Sequence, residues 1–61
     1  MTNPTEEQVK ALDMIRRFGD NALIVVYEII EALRNNTWHN MDWINFYNEV
    51  ANNILEYEET N

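Results

Sequence analysis

The chain has 61 residues, a formal net charge of −7 from 11 acidic against 4 basic side chains, a single His and no Cys. Such a length supports one domain that buries only about 60% of its unfolded surface. With disulfides and thiolate zinc sites both excluded by the missing Cys, oligomerisation is the expected reinforcement. Four basic residues cannot lay out a phosphate-tracking patch or hold an anionic bilayer, so neither nucleic acid nor membrane is an expected direct partner.

The chain starts with MTNPTEEQVK, which is polar and acidic where an export signal would be basic and then apolar; a soluble, cytoplasmic protein is expected. Asn3 can cap a first helix, Pro4 suits its first position, and Glu6 sits three residues after Asn3 in a capping-box-like arrangement. This helix is expected over about 4–17. Val9, Leu12, Ile15 and Phe18 form its core stripe, Ala11 and Met14 lie at the margin, and Arg16 and Arg17 suit the negative end of the dipole.

Gly19 followed by Asp20 and Asn21 reads as a stop and restart, with the glycine left-handed. The alternative is one long helix, because Leu12, Ile15, Gly19, Ala22, Val26, Ile30 and Leu33 stay in phase across the break. A second helix is expected over about 21–34. Its segment Ala22 to Leu33 holds ten apolar side chains and two charges, Glu28 and Glu31, more than one side of a short helix requires. The expectation is that a lone protomer cannot shelter it and that a second copy packs on this helix. A strand is disfavoured, since Leu23 to Tyr27 shows no alternation.

Asn35, Asn36 and Thr37 break the pattern, and Thr37 or Asn40 can cap a third helix over about 41–57, followed by a frayed tail at 58–61. Trp43, Tyr47, Val50, Ile54 and Tyr57 fall at helical spacing, widened by Ile44, Ala51 and Leu55, with Asn45, Asn48, Glu49, Asn52 and Asn53 on the remainder. From residue 37 onward the chain is purely acidic, with Asp42, Glu49, Glu56, Glu58 and Glu59. The whole reads as an all-α, single-domain, small three-helix (or long-hairpin) unit completed as a homodimeric helical bundle.

The stretch Phe18 to Ile30 (FGDNALIVVYEII), followed by a polar turn and the aromatic helix Trp43 to Val50 (WINFYNEV), resembles small uncharacterised helical proteins of phage or phage-derived bacterial origin. It covers about half the chain. The resemblance implies an origin in a mobile element and no activity, because those proteins have no assigned catalytic or binding residues.

No catalytic, cofactor or metal motif is found. His39 stands in a polar turn in a chain without Cys or Ser, so the nucleophile that a histidine base would serve is missing except for scattered threonines. Glu28 and Glu31 are spaced Glu-x-x-Glu where a carboxylate di-iron site asks for Glu-x-x-His, and a solvated edge is the simpler account. Among the seven aromatics, Trp43 and Tyr47 are expected in the core. Tyr27, Trp38 and Phe46 are the interface candidates, because they stand on the crowded helix, in a polar turn and off the main stripe respectively. The expected function is a non-enzymatic, self-associating interaction module that binds a protein partner with a basic surface and takes no cofactor. The alternative is an acidic inhibitor or decoy that occupies the basic nucleic-acid groove of a target.

Overall fold

The computed structural model describes residues 3–35 and 41–60, and among them every regular element is helical. Three α-helices, α1 (Glu6–Phe18), α2 (Ala22–Asn35) and α3 (Met41–Thr60), are ordered along the chain, with a single 3-10 turn, Gly19–Asn21, between α1 and α2. α3 packs against both other helices, which meet each other far less than each meets α3. The smallest dimension, 17 Å, leaves room for two helix layers at a spacing of about 8–10 Å.

α1 starts two residues later than Asn3 and Pro4 suggest. Thr5 is the cap: its Oγ1 accepts from the Gln8 N–H at 3.2 Å, and the Thr5 N–H donates to Gln8 Oε1 at 2.9 Å. Thr-x-x-Gln satisfies two otherwise orphaned donors reciprocally, which Asn3 with Glu6 does not achieve here. Glu6 and Glu7 fill the first turn and Arg16 and Arg17 the last, both with the favourable sign for the dipole. Asp13 is held on this helix by Arg17 at 3.1 Å and by Lys10 at 3.9 Å.

The break at Gly19 is real, and the long single helix does not form. Gly19 has φ 58° and ψ −128°, so φ is positive as expected, but ψ places it outside the left-handed helical region. Its N–H still closes α1 by donating to the Ile15 carbonyl, and its own carbonyl accepts from the Ala22 N–H, which passes the chain directly into α2. A Cβ at Gly19 would meet no atom within 4 Å, so the backbone angle and not space selects glycine.

The core contains Ala11 and Met14 of α1, Ala22, Val26 and Ile30 of α2, and Val50, Ala51 and Ile54 of α3. Full burial of Val26, Val50 and Ile54 contributes about 1.5–3 kcal/mol each, and no polar or charged side chain is buried among the described residues. Three sequence expectations are corrected. On α1 the supposed margin, Ala11 and Met14, is the buried line, while Val9, Leu12 and Phe18 are exposed. On α3, Trp43 is 50% exposed where a core position was expected. On α2 the protomer shelters most of the apolar run by itself: Ala22, Val26 and Ile30 are buried, and Leu23, Val25, Ile29 and Leu33 are partly covered. Of its large apolar residues only Ile24 and Tyr27 are exposed, because they share the outward arc with Glu28 and Glu31. α3 also continues through Glu58 and Glu59 to Thr60.

Candidate functional site

α1 lies across α3 and leaves a hollow on each of its flanks. Helical spacing places Glu6, Val9, Lys10 and Asp13 on one flank and Gln8, Leu12 and Ile15 on the other. The first hollow, of about 400 Å³, is closed on the α3 side by Phe46. The second, of about 370 Å³, is bounded on the α3 side by Asn53, Glu56 and Tyr57. Pro4 contributes to both, since the cap at Thr5 puts it at the head of α1.

The first flank joins an aromatic group on the opening turns of α3. Trp43 stacks on Tyr47 with centroids 6.2 Å apart, and Phe46 meets both edge-on, 5.8 Å from Trp43 and 5.3 Å from Tyr47. Their positions at i, i+3 and i+4 bring the three rings together on one helix face. Phe46 and Tyr47 also lean on the core, which fixes them, while Trp43 and the neighbouring Val9 remain about half exposed. Together they form a connected apolar surface, Val9–Phe46–Trp43, flanked by charges of both signs at Glu6, Lys10 and Asp13.

The second flank is chemically different. Leu12 and Ile15 give it an apolar floor with Tyr57, and its charged lining is acidic. Asn53 on its wall donates one of its two amide N–H groups to the Glu49 carbonyl at 2.9 Å, which ties the side chain back to its own helix.

Of the three interface candidates, Tyr27 is half exposed in a hollow between α2 and α3, beside Ile30, Glu31, Arg34 and Asn48. Phe46 is partly buried and belongs to the first flank. Trp38 lies outside the described residues, as do His39 and the proposed caps Thr37 and Asn40. Tyr27 and Phe46 line separate hollows that share no residue. Sequence reasoning assigned Val9, Leu12 and Tyr57 to the core and so missed them as surface. The available signal was that α1 carries six apolar residues over two overlapping stripes, more than one buried line can absorb.

Among the described residues no group of three or more His, Cys, Asp or Glu side chains converges to hold a metal, and no helix is long and apolar enough to cross a membrane. No protein-family model, curated protein or solved structure matches the chain.

Proposed function

We propose that this protein is a non-enzymatic interaction module of phage-like origin that self-associates as a homodimer and binds a protein partner. The observation that carries the reading is the apolar surface Val9–Phe46–Trp43, left open by one protomer and set on side chains that the core already holds in place. Rigid aromatic anchors lose little entropy on association. Lys10 beside Glu6 and Asp13 supplies both signs of charge, as a two-fold contact between identical surfaces needs if like charges are not to oppose each other. This moves the expected dimer contact from α2, whose run is mostly covered within the protomer, to α1 and the start of α3.

The decoy alternative fares worse on charge density. Asp42, Glu49 and Glu56 do form an exposed stripe on α3, but their seven-residue spacing sets them about 10 Å apart along the axis. Duplex DNA carries one phosphate per about 1.7 Å of axis, so the stripe is several-fold too sparse to imitate it.

Sedimentation velocity over a dilution series tests the module reading. The native chain should pass from dimer to monomer with an apolar, weakly salt-dependent midpoint. Val9→Asn should shift that midpoint to at least about tenfold higher concentration, while Ile24→Asn on the outer arc of α2 should leave it unchanged. A chain that stays monomeric throughout removes the self-association half of the proposal. A midpoint moved by Ile24→Asn and not by Val9→Asn returns the contact to α2.

A further inference from the structure

The second flank of α1 does not end at the hollow beside Leu12. A further hollow, lined by Ile15, Gly19, Asp20, Tyr57 and Glu58, shares Ile15 and Tyr57 with it, so the two form one groove running from Gln8 to the turn at Gly19. Over that course α1 rises about 16 Å, the length of three turns of a docked helix. Leu12, Ile15 and Tyr57 form the apolar floor, and Asp20, Glu56 and Glu58 supply all the charge in the lining. Among the described residues no cation lines the groove. Lys10 and Arg17 pair with Asp13, Arg34 stands beside Tyr27, and Arg16 is exposed one turn beyond Leu12 without lining the groove.

We infer that this groove receives a basic amphipathic helix of a partner protein, its apolar stripe on Leu12, Ile15 and Tyr57 and its Lys or Arg residues against Asp20, Glu56 and Glu58. The inference rests on the interaction-module reading and names the chemistry of the partner. The shape favours a helix because a seam between two packed helices presents ridges and grooves into which a third can interdigitate. The charge selects a basic one. A second copy of this chain would bring a net −7 to an acidic rim, and like charges facing each other at an interface oppose docking. The Val9 flank, with both signs, has no such preference.

Fluorescence anisotropy with a labelled Leu/Lys amphipathic helical peptide of about three to four turns, against a Leu/Glu peptide with the same apolar positions, tests the inference. The Leu/Lys peptide should bind and the Leu/Glu peptide should not. Leu12→Asn should weaken binding about tenfold or more, and the rim pair Glu56→Gln with Glu58→Gln about fivefold, with a shallower salt dependence. Glu28→Gln with Glu31→Gln makes the same change in net charge on the outer arc of α2 and should cost no more than about twofold. Far-UV circular dichroism of each variant confirms that its helices are retained, and the rim pair keeps the test decisive if Leu12→Asn unfolds.

Equal losses from the rim pair and the α2 pair would mean that overall charge attracts the peptide, which overturns the groove. Equal binding of both peptides overturns the acidic rim as selector. If neither peptide binds and Leu12→Asn abolishes self-association, the occupant is a second copy: this inference fails and the module reading survives. If neither peptide binds and the chain is monomeric, this inference fails and the self-association half of the module reading fails with it.

Discussion

α2 carries the densest apolar run in the chain, yet among its large apolar side chains only Ile24 and Tyr27 are exposed; α3, interrupted by Asn45, Asn48, Asn52 and Asn53, leaves Met41, Trp43, Leu55 and Tyr57 exposed. Length and face together explain the inversion. At 20 residues α3 is about 30 Å long, while α1 and α2, at 13 and 14, reach about 20 Å each. The middle of α3, with Val50, Ala51 and Ile54, is enclosed by both neighbours, whereas toward its ends the cover narrows to one face: Ile44 is buried while Trp43 beside it is half exposed, and Tyr57 meets Ile15 and Gly19 while 45% of it stays open. How much apolar surface a helix leaves for partners is therefore set by the reach of its neighbours more than by its own composition.

The sharpest way to break this comparison is to set the two arcs of α2 against each other. Ile30→Ala, at a buried position, should destabilise by about 2–5 kcal/mol in urea titrations followed by circular dichroism, close to the whole stability of so small a core. Ile24 is 61% exposed, and Ile24→Ala should change stability by no more than about 0.5 kcal/mol. A cost at Ile24 approaching that at Ile30 would show the outer arc covered in solution, and α2 would again be the helix that needs a partner.

The elements themselves were legible. The 3.6-residue period, the turn chemistry of Gly19-Asp20-Asn21 and the Asn-rich break after Arg34 placed all three helices to within a few residues. Which face of each helix is buried was not. On α1 the lines Val9–Leu12 and Ala11–Met14 are both apolar, and period alone cannot choose between them. The packing of α3 selects the line with the small Ala11, over which another helix can approach closely. The same contact covers the inner arc of α2, so the excess apolar content read there as a demand for a second copy is largely met within the protomer. The grooves were illegible for a related reason: each combines residues from α1 and α3 about 40 positions apart, and no local pattern links Leu12 to Tyr57.

A smaller effect tests the turn that lets α1 and α2 both reach α3. Gly19→Ala forces an L side chain to φ 58° and ψ −128° and should cost about 1–3 kcal/mol, even though open space surrounds the site. Gly19→Asn should cost as much, because the relief that asparagine finds in the left-handed helical region does not extend to this ψ. If asparagine were tolerated and alanine not, the turn in solution would have relaxed into the left-handed helical form, and the two helices would meet α3 at different angles.

The smallest effect has the opposite sign and asks how far α3 depends on its neighbours. Asn45 and Asn52 are both exposed, and each costs the helix about 0.5–0.7 kcal/mol relative to alanine. Asn45→Ala with Asn52→Ala should therefore stabilise the fold by about 1 kcal/mol without touching the core or either flank of α1. If α3 owes its order to the packing of Val50, Ala51 and Ile54, the gain should appear in full and leave peptide binding and the dimer midpoint unmoved. A stabilised fold with weakened association would instead mean that the asparagines themselves contact a partner, and the interaction surface would extend from the α1 flanks onto the outer face of α3.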